Sequence, residues 1–170
     1  MAAALGQSGA TIAGMHHAPP IELHLADADA TATLGADLAR NLPLHAVVHL
    51  HGDLGAGKST LARAMLRALG VTGTIRSPTY TLVEQYALPL GGMALHLDLY
   101  RIGDAGELEF LGLDAGEARL WLVEWPERGQ GGLPPADLDI ELAVYGAGRH
   151  CRLLARSAVG LAWTHSLALQ

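Results

Sequence analysis

Lysine is almost missing from this chain: Lys58 is the only one among 11 basic residues in 170. Cysteine is as scarce. Cys151 stands alone, which rules out an internal disulfide and leaves no second thiol at metal-ligand spacing, as suits a reducing compartment. Its setting in a late alternating segment reads as a small buried residue. Positive charge is short overall, because 17 acids outnumber the bases and give a formal net charge of -6. Such a surface does not draw in nucleic acid, so any link to RNA has to run through a partner. No apolar run approaches membrane-spanning length, and the first basic residue is Arg40, so the charged start of a secretory signal is missing. These absences lead to the expectation of a cytoplasmic protein without a membrane role.

What is present fits one domain with a full core: half of the residues are apolar. Residues 1–20 are rich in Ala and Gly and end in Pro19-Pro20, and they read as a disordered extension. His16 and His17 within it could bind a metal, but no further ligand stands nearby, and a solvated pair is the plainer reading. Residues 158–170 alternate weakly and read as an edge strand or a tail. No internal repeat is evident.

Between these ends the chain alternates strands and helices. Ile21 to Leu25 reads as a strand, and Asp27 or Asp29 can cap a helix whose apolar face carries Leu34, Leu38 and Leu42, with Pro43 as its stop. Ala46 to Leu50 is a compact apolar run of the kind buried on both sheet faces. A Gly-rich turn follows. Ser59 to Leu69 then places Leu61, Met65, Leu66 and Leu69 at helical spacing before Gly70. Two further strands are expected at Ala94 to Leu99 and Leu120 to Glu124, each bearing an acid. Ile140, Leu142 and Val144 alternate before Gly146-Ala147-Gly148, and Cys151, Leu153 and Ala155 alternate after it, which predicts an antiparallel hairpin closing a mixed sheet.

The chemistry starts at Gly52-Asp53-Leu54-Gly55-Ala56-Gly57-Lys58-Ser59, a Walker A pattern between a predicted strand and a predicted helix. Glycines let the loop turn its backbone N–H groups around phosphate oxygens, and the helix behind it points its positive end at the same anion. Lys58 would neutralise the β- and γ-phosphates of ATP, and the Ser59 hydroxyl would hold Mg²⁺. The scarcity of lysine sharpens this reading. Arginine fills every other basic position, yet here a compact ammonium is kept where a forked guanidinium would not fit.

A P-loop also needs an acid at the end of a neighbouring strand. Glu124, after Leu120-Trp121-Leu122-Val123, is the metal candidate. Asp98, in His96-Leu97-Asp98-Leu99-Tyr100-Arg101, is the second acid; it either orients a water or pairs with Arg101 or caps a turn. Ser77-Pro78-Thr79-Tyr80 is a rigid, hydroxyl-rich turn able to act as a switch toward the γ-phosphate. His45, His49 and His51 share one face of the first core strand, which suggests either a metal site or packing and hydrogen bonding at a strand end.

Four ordered blocks, Gly52 to Thr60, SPTYTLVE at Ser77 to Glu84, HLDLYR at His96 to Arg101 with ELEFLGL at Glu107 to Leu113, and LVEWP at Leu122 to Pro126, together resemble the bacterial TsaE family of ATPases. The match spans roughly residues 21 to 150. The resemblance implies a P-loop α/β domain over 21–157, with a mixed sheet flanked by helices, and a Mg²⁺-dependent ATPase that supports formation of threonylcarbamoyladenosine in tRNAs. It also implies two protein partners, the threonylcarbamoyl-transferase subunit and a paralogue of it, with tRNA reached only through that complex. Carried over by motif, residues Asp53 to Thr60 contact ATP, with Lys58 catalytic; Ser59 and Glu124 hold the metal; Asp98 is needed for hydrolysis; Thr79 belongs to the switch. Trp125 would lie beside the nucleotide and Arg149 would reach it. One departure is Ser59, where threonine is commoner. Two rivals stand beside this reading: a small-molecule kinase, which needs an Arg-bearing lid that Gly129 to Pro135 does not offer, and a binding module that uses ATP without hydrolysing it.

Overall fold

The computed structural model describes residues 18–113 and 116–167. Most of the expected N-terminal extension, including His16 and His17, lies outside them. The elements run β1 (Ile21–Leu25), α1 (Ala28–Arg40), β2 (Ala46–His51), α2 (Lys58–Ala68), β3 (Val83–Ala87), β4 (Met93–Asp98), β5 (Ala118–Glu124), β6 (Leu138–Tyr145), β7 (Gly148–Ala155) and α3 (Ala158–His165). Short 3₁₀ segments at Ala105–Leu111 and Pro126–Gly129 precede and follow β5.

The strands form one seven-stranded mixed sheet in the order β1-β7-β6-β2-β5-β4-β3. β2 pairs in parallel with both β5 and β6, and β4 runs parallel to β5. The hairpin β6–β7, with β1 against β7, closes one side antiparallel, and β3 returns antiparallel on β4 at the other. This is the expected P-loop-like mixed sheet with its late hairpin. Because β2, β4 and β5 are parallel, they deliver their carboxyl ends to one edge, the usual place for a ligand in an open α/β sheet.

One sheet face carries Val48, Leu50, Leu120, Leu122, Leu138 and Ile140, all fully buried beneath α1 and α2. The two helices touch closely at Gly35, where a Cβ would stand 2.8 Å from the Leu61 carbonyl oxygen, so a side chain there would force them apart. The other face holds a smaller cluster, Leu95, Leu97, Leu99, Trp121 and Val123, covered by the 3₁₀ segments. Asp27 caps α1 by accepting from Ala30 N at 2.8 Å, which settles the choice between Asp27 and Asp29.

Two elements differ from expectation. Residues 158–165 form α3 instead of an edge strand or a tail. Ser157 caps it, accepting from Gly160 N at 3.0 Å while its hydroxyl donates to Asp137 at 2.6 Å. Trp163 then buries itself and donates from Nε1 to the Leu38 carbonyl at 3.1 Å, so packing on α1 overrides the weak alternation. β3 was not expected as a strand. VEQYA is half-exposed, and its pairing with β4 supplies what its pattern lacks.

Candidate nucleotide site

β2 leads straight into the glycine loop. Gly57, at φ 108°, occupies the left-handed region and caps α2, a conformation a side chain would resist. α2 begins at Lys58, one residue before the predicted start, so the positive end of the helix lies directly behind the loop. Here a cavity of about 440 Å³ is bordered by Leu54, Gly55, Gly57, Lys58, Ser59, Thr60, Thr79, Asp98, Glu124, Trp125 and Arg149 among others. Eleven of the thirteen residues predicted from sequence therefore meet at one place. Asp53 and Ala56 do not line it; they shape the loop, with Ala56 N donating to the Asp53 carbonyl at 3.1 Å.

Lys58 is 4% exposed, and its Nζ donates to the carbonyls of Gly52 at 2.5 Å and Asp53 at 2.9 Å. The ammonium also stands 4.4 Å from the Trp125 ring centroid. Burial pulls its pKa below the ordinary lysine value, and the nearby Glu124 and Asp98 charges pull back. A buried cation beside the glycine loop, its pKa lowered by that burial, suits contact with an anion.

The Ser59 hydroxyl donates to the Glu124 carboxylate, 3.0 and 3.1 Å from its two oxygens. Glu124 and Asp98 are cross-strand partners at the ends of β5 and β4, 3% and 6% exposed. Asp98 Oδ2 accepts from the Thr79 hydroxyl at 3.1 Å, and Oδ1 accepts from Tyr100 N at 3.0 Å. Of the plainer alternatives for Asp98, the turn cap holds and the Arg101 pair does not: Arg101 stacks on Tyr80 instead. The turn lies one residue later than predicted, over residues 78–81, closed by Leu82 N donating to the Pro78 carbonyl at 2.8 Å, with the Ser77 and Thr79 hydroxyls 2.8 Å apart.

Trp125 adopts φ 58°, a left-handed conformation that costs energy for a side chain of this size. The kink turns its indole across the mouth between Tyr100, at 5.0 Å between ring centroids, and the Lys58 ammonium. Arg149 comes from β7 and spends its guanidinium on the loop itself, donating to Ala56 O at 2.9 Å and Gly55 O at 3.0 Å. It borders the cavity while bracing the loop's backbone.

Sequence reasoning missed His96. Its Nε2 lies 2.8 Å from Glu124 Oε1, and the ring is 1% exposed. The available signal was the two-residue step from His96 to Asp98, which puts both on one strand face. It also missed that the start of α1, with Asp27, Ala28 and Thr31, borders the cavity. The three histidines separate, and His45 lies just before β2. His45 turns Nδ1 to the Ala118 carbonyl at 3.3 Å, whereas His49 and His51 face Asp139 on the far side of the sheet.

Residues 25–151 match the family model for threonylcarbamoyl adenosine biosynthesis protein TsaE. A tRNA threonylcarbamoyladenosine biosynthesis protein TsaE from Haemophilus influenzae is 47% identical over 116 residues, 67% of this chain and 73% of that one. Its namesake from Aquifex aeolicus is 36% identical over 125 residues, 72% and 86% of the two chains. Among solved structures, Bacillus subtilis YdiB superposes with a TM-score of 0.71 over 90% of this chain and 97% of its own, at 24% identity, a likeness of fold.

Proposed function

The chain belongs to the TsaE family of tRNA threonylcarbamoyladenosine biosynthesis proteins, and from that premise we propose that it binds ATP with Mg²⁺ and hydrolyses it in support of that modification. The observation that carries this reading is the convergence of Lys58, the Ser59 hydroxyl and the Glu124 carboxylate on one cavity behind the glycine loop. Each component has a task. The loop amides and Lys58 bind the β- and γ-phosphates. Ser59 and Glu124 present hard oxygen donors within hydrogen-bond reach of each other, a set that suits Mg²⁺, and these two residues would hold it. Bound there, Mg²⁺ supplies neutralisation of charge on the phosphates. Asp98, fixed by Thr79 and by the Tyr100 amide, accepts a hydrogen bond from a water and orients it for attack on the γ-phosphate. The Thr79 turn, which borders the same cavity and holds Asp98, is the switch in this reading.

The isolated protein is proposed to turn over slowly, since the nearest arginine of the loop, Arg149, is committed to backbone carbonyls. The partners proposed to accelerate it are the threonylcarbamoyl-transferase subunit and its paralogue. The acidic chain would meet tRNA only through them. Among the described residues no helix is long and apolar enough to cross a membrane, and the cytoplasm is the proposed location. A kinase lid has no support, because the segment after Glu124 folds into a short 3₁₀ turn whose Arg128 lies over Tyr100.

The experiment is ATP turnover with and without the partner complex, in the wild type and in Lys58→Ala and Lys58→Arg. Both variants should lose most nucleotide binding, because an ammonium opposite two phosphates is a charge-assisted contact that a guanidinium cannot copy in this loop. Full activity in both would sink the assignment.

A further inference from the structure

On the sheet face turned away from α1 and α2, β2 presents His49 and His51 two residues apart. β6 sets Asp139 beside them as the cross-strand partner of His49. The two carboxylate oxygens of Asp139 have separate surroundings. Arg156 Nε donates to Oδ2 at 2.6 Å. Oδ1 is left facing the imidazoles, 3.3 Å from His51 Nε2 and 3.8 Å from His49 Nδ1. One ligand atom from each of the three residues lies within 4.8 Å of the others. His51 Nε2 is buried and makes no hydrogen bond in spite of that approach, because the geometry toward Oδ1 is wrong for one; His49 Nε2 is buried without a partner as well. Unpaired ring nitrogens inside a protein are costly; His51 presents its unpaired Nε2 to Oδ1, while His49 turns Nδ1 to the same oxygen and leaves Nε2 unpaired, so this cluster calls for an occupant.

We propose that His49, His51 and Asp139 form a binding site for a divalent transition metal of the zinc class. Ligands about 2.0–2.1 Å from a tetrahedral ion lie about 3.3 Å from one another, the separation already present between His51 and Asp139; a small inward swing of His49 completes three positions. Two imidazoles and one carboxylate favour a borderline ion over Mg²⁺, which prefers all-oxygen shells. The outer contacts are the kind that hold such ligands in place: Arg156 on the far oxygen of Asp139, and the Glu127 carboxylate 3.9 Å from the far nitrogen of His51. A cavity of about 300 Å³ bordered by these residues and by Pro126 and Pro134 gives the ion and a water room to enter. The site is separate from the nucleotide cavity, yet His51 immediately precedes the glycine loop and Glu127 follows Glu124 by three residues. Metal there would tie the strand entering the loop to the segment leaving β5.

The test uses the full chain, freed of metal by a chelator and without nucleotide, titrated with Co²⁺ and then with Zn²⁺ in competition. The expected result is one equivalent of Co²⁺ with the intense visible absorption of a four-coordinate ion, displaced by Zn²⁺. His51→Gln, at a partly exposed position that tolerates change, should weaken binding by at least about tenfold, and Glu127→Gln by roughly tenfold. The double variant His16→Gln/His17→Gln should leave the spectrum intact, and circular dichroism checks each fold. Affinity unchanged by His51→Gln, or a signal lost with the N-terminal pair instead, overturns the proposal.

Discussion

His96 and Glu124 lie side by side on the α2 face of the sheet, with Nε2 2.8 Å from Oε1 and 1% and 3% of their side chains exposed. An ionised carboxylate only accepts, so the contact requires the Nε2–H tautomer, and it fixes the oxygen that Ser59 also addresses. Buried carboxylates depend on such donors.

His96→Leu should therefore destabilise the protein by about 1–3 kcal/mol. It should also raise the Mg²⁺ concentration needed for half-maximal ATP turnover by roughly tenfold, as loss of an outer contact to a metal ligand does. His96→Gln, which keeps a donor, should recover part of both. Denaturant unfolding and a Mg²⁺ titration measure the two effects; a Mg²⁺ requirement unmoved in His96→Leu would refute the coupling.

The two acids should separate. Glu124→Ala should weaken nucleotide retention and its dependence on Mg²⁺. Asp98→Asn keeps the contact with the Tyr100 amide and should preserve ATP binding while lowering turnover by roughly 10². Equilibrium nucleotide binding alongside single-turnover hydrolysis distinguishes the cases. The reverse pattern would exchange their roles.

Of the three tryptophans, Trp121 and Trp163 are buried in the two cores, 7% and 2% exposed, whereas Trp125 borders the cavity against Lys58. Adding ADP with Mg²⁺ should change the intrinsic fluorescence, and Trp125→Phe should abolish that change while leaving the circular dichroism as it was. Trp125→Ala should also blunt acceleration by the partner complex. A full fluorescence response from either variant would show that the indole does not sense the nucleotide.

Burial pushes the Cys151 thiol up to about 12. In the unfolded chain the thiol ionises near its ordinary value, so between about pH 9 and 12 the folded state holds a proton that the unfolded state has released. The contribution of this thiol to stability is thus complete below pH ~9 and declines above it, at up to about 1.4 kcal/mol per pH unit. Unfolding free energies of the wild type and Cys151→Ala, compared from neutral to alkaline pH, should show the steeper fall in the wild type. Equal slopes would mean that the thiol is solvated.

The sequence by itself determined whatever is local. An apolar strand, a glycine loop and a helical repeat follow one another within 24 residues, and hydrogen bonding and side-chain periodicity at that range leave few alternatives. Only Ala46, Val48 and Leu50 of that strand are fully buried, however, and its other face is half-covered, not buried on both faces as the apolar run suggested. The alternation around Gly146 likewise made the β6–β7 hairpin legible, and the acids at the ends of two apolar strands marked Asp98 and Glu124. Spacing could not show register. Only the parallel alignment of β4 with β5 brings Asp98 opposite Glu124 and drops His96 beneath the same carboxylate, 28 residues away in sequence. Arg149 braces the loop from a strand more than 90 residues distant, and Asp139 meets His51 only because β6 lies beside β2. VEQYA became a strand and residues 158–165 a helix for the same reason: their own patterns are weak, and pairing with β4 or burial of Trp163 against α1 decided the outcome. Local preference is worth tenths of a kcal/mol per residue, while a buried tryptophan or a completed strand ladder is worth several times that, so tertiary contacts prevail wherever the local signal is faint.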